Sequence, residues 1–140
     1  MRRDASKWMK RVGSFLLDTN IVIQLMKRDP FLQQAVEQAG RVFVPITTVG
    51  ELAFGAAKSV RLAENLRAID LFVELYRILP CDIEIAKVYG QVKAGLRRIG
   101  RPIPENDIWI AATAICRDLT LVTRDAHFNH VAGLKLDDWR

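Results

Sequence analysis

Two cysteines, Cys81 and Cys116, are too few for a disulfide framework, and with only His127 and His130 there is no Cys/His set at zinc-ligand spacing. That usage suits a reducing cytoplasm. No apolar run approaches the roughly 20 residues needed to span a bilayer, which argues against a membrane role. The basic N-terminus does lead into Phe15-Leu16-Leu17, but Asp18 and Asn20 break the apolar run before it forms the core of a secretory signal. Five prolines and eight glycines act as isolated punctuation, with no linker, low-complexity tract or internal repeat. One cytoplasmic domain is expected.

What is present begins with apolar content: half of the 140 residues are hydrophobic, enough for one core burying about two-thirds of the unfolded chain's surface. The net charge is +5, but Arg2, Arg3, Lys7, Lys10 and Arg11 against Asp4 place +4 of it in residues 1–14. Basicity is therefore weak support for a nucleic-acid surface on the folded body. A local signal is stronger. Lys93, Arg97 and Arg101 recur every four residues along a predicted helix and its end, with Arg98 beside them, which makes them candidates for RNA phosphate contacts or simply a solvated face.

Phe15-Leu16-Leu17, Val42-Phe43-Val44, Ile78-Leu79 and Leu119 to Val122 read as short strands buried on both faces, with a last one near Leu134 to Leu136. Helices are predicted over Ile21 to Lys27, Phe31 to Ala39 (stopped by Gly40), Thr47 to Ser59, Leu62 to Tyr76, Ile85 to Ile99 (stopped by Gly100) and Pro104 to Cys116. This alternation predicts an α/β fold with a central, mainly parallel sheet whose ligands sit beyond the carboxyl ends of the strands.

Asp18 and Asp125 follow strands, while Glu51 and Asp107 lie in the first turns of helices, so all four acids converge on that end. Each has a plainer explanation alone. Asp18 suits a helix cap, Thr48-Val49-Gly50-Glu51 a capping box, Asp107 the helix dipole, and Arg124-Asp125-Ala126 a turn. Together they are costly: two carboxylates about 5 Å apart repel by roughly 3 kcal/mol at an effective dielectric near 20. Bound cations or retained protons must offset this, and hard oxygen donors select Mg²⁺, with Mn²⁺ able to substitute. Metal-assisted phosphodiester hydrolysis is the natural chemistry. Thr19, Asn20 and Thr123 adjoin the acids as candidate orienting groups, or serve the local turns. His127 and His130 read as loop or packing residues, Trp109 as core, and Glu105 as facing away from Asp107.

Leu16-Leu17-Asp18-Thr19-Asn20-Ile21-Val22-Ile23 resembles the opening motif of PIN-domain ribonucleases, especially the VapC-type toxins of bacterial toxin–antitoxin pairs. Thr48 to Ala56 resembles the second motif, Asn106 to Ala112 the third, and Leu121 to Phe128 the fourth, in order and covering Phe15 to Trp139. The resemblance implies a three-layer α/β/α PIN fold over residues 15–140; residues 1–14 have no counterpart in its pattern and read as a basic N-terminal extension or flexible arm. It implies metal-binding roles for Asp18, Glu51, Asp107 and, as a more variable fourth, Asp125. It further implies an endoribonuclease cutting tRNA, rRNA or mRNA, an antitoxin whose C-terminal segment blocks the groove, and a homodimer. Leu52 to Tyr76 is the expected interface, with exposure of both Phe54 and Phe72 as its sign. A PIN nuclease of RNA or DNA processing, or an idle PIN binding module, would share the motifs. A phosphorylation receiver would need an adjacent acidic pair where Thr19 and Asn20 stand.

Overall fold

A computed structural model describes residues 11–140. Its strands are β1 (Arg11–Leu17), β2 (Ala39–Pro45), β3 (Arg77–Leu79), β4 (Thr120–Val122) and β5 (Leu136–Asp137). The helices are α1 (Thr19–Met26), α2 (Pro30–Gln38), α3 (Ile46–Ala57), α4 (Leu62–Leu75), α5 (Ile83–Arg98) and α6 (Glu105–Cys116). The strands pair in the order β3-β2-β1-β4-β5, every pair parallel.

Alternation along the strands creates the layers. Phe15 and Leu17 face a core with Ile21, Leu25, Leu32 and Phe72 from α1, α2 and α4, whereas Leu16 between them joins Leu96, Ile108, Ile110 and Ala111 of α5 and α6. The result is the expected α/β/α sandwich. At the opposite end of the chain, Trp139 is fully buried and meets Phe15 edge-on at 5.3 Å.

Four boundaries differ from the sequence-based expectation. β1 begins at Arg11, so residues 11–14 of the stretch read as an extension belong to the first strand, while residues 1–10 lie outside the described residues. The register with β2 slips by one residue between Arg11 and Ser14, and Gly13, at φ 124°, takes up this bulge. Gly40 does not end α2, because pairing with β1 draws Ala39 and Gly40 into β2.

The third difference matters most for the crevice. α3 starts at Ile46, directly after Pro45, with no side-chain cap, so Thr48 lies inside the helix and the plainer capping-box explanation of Glu51 does not hold. The fourth is an additional 3₁₀ helix, Ala126–His130, in place of a simple turn. Gly100 does end α5: at φ 67° it lets the Gly100 amide reach the Arg97 carbonyl and the Arg101 amide the Leu96 carbonyl, closing a Schellman turn.

Candidate active site

β1 delivers Asp18 directly into α1. The Asp18 amide bonds the Val122 carbonyl at 3.0 Å, continuing the sheet by one residue, while its side chain caps α1 by accepting from the Thr19 amide at 2.8 Å. The other carboxylate oxygen accepts from the Thr123 hydroxyl at 2.7 Å, and that hydroxyl in turn accepts from the Asp125 amide at 3.1 Å. Asp18 is 4 % exposed and held on both sides.

Glu51 is freed for this crevice by the early start of α3. Its carboxylate accepts from the Thr19 hydroxyl at 3.0 Å, and Thr19 lies 3.1 Å from the hydroxyl of Thr48, which is fully buried. Since Thr19 has one hydroxyl hydrogen, Thr48 donates to Thr19 as Thr19 donates to Glu51. Asp107 enters from the first turn of α6, and its Oδ2 lies 2.6 Å from His127 Nε2. Asp125 caps the 3₁₀ helix, and its Oδ1 lies 2.8 Å from His127 Nδ1.

Burial, above all, pushes the Asp18 carboxyl above the usual range; the Thr123 and Thr19 hydrogen bonds oppose this, and the charges of Asp107 and Asp125 add to it. Burial likewise raises Glu51, against the Thr19 bond and with repulsion from Asp107 and Asp18, and raises Asp107, against His127 and with repulsion from Asp125. The four acids thus share one electrostatic neighbourhood. Among the described residues no lysine or arginine pairs with any of them. A desolvated, mutually repelling set of oxygen donors fits a hard divalent cation.

This repulsion has a measurable sign. In chelator, Glu51→Gln is expected to be a few degrees more heat-stable than the parent at neutral pH, since its amide oxygen still accepts from Thr19 while a repelled charge is removed. Ionised Glu51 costs stability because its folded pKa lies above the ordinary glutamate value. The cost is complete above the raised value, shrinks as pH falls through it, and is gone below the ordinary one. Thermal melts should show the gap closing on acidification; a gap that widens would contradict a carboxylate made costly by burial and by its acidic neighbours.

The other expected residues divide. Thr19 and Thr123 orient acids by direct bonds, but Asn20 is exposed and bonds none of them, because it follows α1 round to the groove side. Lys93 is paired with Glu105 at 2.5 Å, with the Tyr89 hydroxyl at 3.3 Å. Arg97, Arg98 and Arg101 are exposed. The Lys93–Glu105 pair, and at the other end Arg117 with Asp82 and Glu84, run α5 antiparallel to α6, so these arginines gather toward the α6 end that carries Asp107. Arg98 itself turns to a groove with Val92 and Val131. Glu105 is turned to α5, where it pairs with Lys93 and Tyr89.

Trp109 is half-buried and stacked on Tyr89 of α5 at 4.0 Å, a partly exposed pair where core was expected. His127 and Thr48 were not expected here. A hydroxyl residue three before Glu51, and a histidine two after Asp125, were the available signals.

Comparison with known proteins bears on the same segments. A PIN domain family model matches residues 15–134. Ribonuclease VapC2 of Haemophilus influenzae is 38 % identical over 128 residues, covering 89 % of this chain and 97 % of that one. The tRNA(fMet)-specific endonuclease VapC of Shigella flexneri is 37 % identical with the same coverage. Among solved structures, DNA-bound VapBC from Salmonella typhimurium superposes with a TM-score of 0.86 at 30 % identity, covering 92 % of this chain and all of that one. VapBC-1 from nontypeable Haemophilus influenzae gives 0.82 at 34 %, over 89 % and 97 %. With the four acids in the order of the four motifs, the chain belongs to the PIN-domain family, within its VapC branch.

Proposed function

We propose that this chain is a divalent-cation-dependent endoribonuclease, the toxin of a toxin–antitoxin pair, and that Asp18, Glu51, Asp107 and Asp125 hold Mg²⁺, or Mn²⁺ in its place. The observation that carries this reading is the convergence of four carboxylates from four separate segments, in which the charges of Asp18, Asp107 and Asp125 raise the cost of ionising their neighbours, and among the described residues no lysine or arginine pairs with any of the four. Relatives named ribonuclease and tRNA-specific endonuclease support RNA, and tRNA within it, as the substrate.

When bound, the cation supplies an activated water and offsets charge on the attacking and leaving oxygens of an in-line displacement. The protein's own part is preorganisation. Thr123 and the Thr19 amide fix Asp18, the Thr48–Thr19 relay fixes Glu51, and the exposed arginines at the end of α5 offer positive charge to the RNA backbone.

An antitoxin is the natural regulator, as the VapBC neighbours are complexes. A groove of about 510 Å³ between α1, α3 and α4, walled by Ile23, Met26, Leu52 and Ile69 and ending at Glu51, suits its C-terminal segment. Homodimerisation is proposed at the α3–α4 hairpin, although the pair of phenylalanines divides: Phe54 is 63 % exposed, whereas Phe72 is buried against Tyr76. The exposed set is instead Phe54, Val60, Leu62, Leu66, Leu71 and Leu75. No helix among the described residues is long and apolar enough to cross a membrane.

Purified protein is expected to cleave tRNA in Mg²⁺ or Mn²⁺, to stop in chelator, and to recover on adding Mn²⁺. Gel analysis of labelled RNA reads all three. Cleavage indifferent to chelator would refute the cation's role.

A further inference from the structure

His127 stands between acids on different elements: Nε2 is hydrogen-bonded with Asp107 Oδ2 at 2.6 Å, at the head of α6, and Nδ1 lies in contact with Asp125 Oδ1 at 2.8 Å, beyond β4. A carboxylate oxygen of each acid and a ring nitrogen lie within 4.8 Å of one another. The ring is poorly free to turn. Its backbone amide bonds Asp125 Oδ1 at 3.3 Å, and the next residue, Phe128, is fully buried with its ring 4.9 Å from the imidazole. The short helix that Asp125 caps thus returns a side chain to brace Asp125 itself.

We propose that His127 is a positioning residue: it cross-braces Asp107 and Asp125 so that the second oxygen of each is presented to one cation. This rests on the reading that the acids hold a cation. The geometry disfavours two other roles. Each ring nitrogen is turned to a carboxylate, so ligating a metal ion or taking a proton from water would require the ring to leave Asp107 or Asp125. Carboxylates that bind metals are commonly held by such partners, and losing one weakens metal binding about 10–100-fold.

The test is Mn²⁺ uptake by the full chain without RNA, followed by the loss of the free-ion electron paramagnetic resonance signal. His127→Ala is expected to weaken binding about tenfold or more while melting within a few degrees of the parent. His127→Gln, whose amide N–H can replace one of the two ring contacts, should recover part of the loss, which a general packing role would not predict. Parental or tighter affinity in the alanine variant overturns the brace and leaves the cation reading standing. Strong ¹⁴N coupling to the bound Mn²⁺, abolished by His127→Ala, would make the ring a ligand and also overturn it. A parent that takes up no Mn²⁺ overturns the cation reading, and the brace with it. Should the alanine variant not fold, His127→Gln decides alone, with parental affinity counting against the brace.

Discussion

Asp18→Asn is expected to lower RNA cleavage at least a thousandfold, roughly 4 kcal/mol of lost transition-state stabilisation, while leaving the fold intact. Asp18 is the most buried of the four acids and the only one fixed at both oxygens, by the Thr19 amide and the Thr123 hydroxyl. An asparagine has nearly the same shape. Its oxygen can accept from the Thr19 amide, and its nitrogen can donate to Thr123, whose hydroxyl has a second lone pair. The substitution therefore removes the charge with little loss of hydrogen bonding, and the charge is what burial and the neighbouring acids make expensive. The variant should melt at or above the parental temperature in chelator and gain little from Mn²⁺, whereas the parent should be stabilised by it. Asp107→Asn should behave alike in activity. Asp125→Asn should cost less, because the Asp125 side chain is 38 % exposed and serves also as a cap. An Asp18→Asn protein retaining a tenth of parental activity would remove Asp18 from the centre of the site.

Much of this site was legible because the signals were local and repeated. Continuous apolar runs such as Phe15-Leu16-Leu17 fit only strands covered on both faces, and an acid placed just past each such run has to stand at the same end of a parallel sheet. What was not legible depended on tertiary competition. The Thr48–Glu51 spacing is a sound local capping pattern, yet strand β2 runs straight into α3, and Glu51 gains a partner 32 residues away in Thr19 instead of one in its own first turn. Lys93 at helical spacing from Arg97 looked like part of a free basic stripe; only the antiparallel packing of α5 on α6 brings Glu105 onto it. A lone histidine near a chain end carries no period at all. Its meaning comes from a 3₁₀ helix five residues long that aims it back at two acids.

The C-terminal tail supplies the second large effect. Trp139→Ala is expected to cost about 3–5 kcal/mol, a large share of the roughly 5–15 kcal/mol that holds a domain of this size together. Trp139 is fully buried in the core beneath α1, with its ring edge-on to Phe15, although it sits one residue from the chain end on a backbone at φ 51°. A bulky residue holds that left-handed conformation only when its surroundings determine it, and here burial of the indole does so. The anchor also reaches the crevice. Arg124 bonds the carbonyls of Asp138 and Trp139 at 3.2 and 3.3 Å, which ties the segment between Thr123 and Asp125 to the tail. Loss of the indole should therefore depress cleavage beyond the fraction unfolded, because Asp125 loses its support along with the core. Trp139→Phe retains the aromatic contact with Phe15 and should recover most of the stability. Denaturant melts and cleavage measured on the same samples separate the two contributions; an alanine variant within 1 kcal/mol of the parent would show that the tail closes the core only in passing.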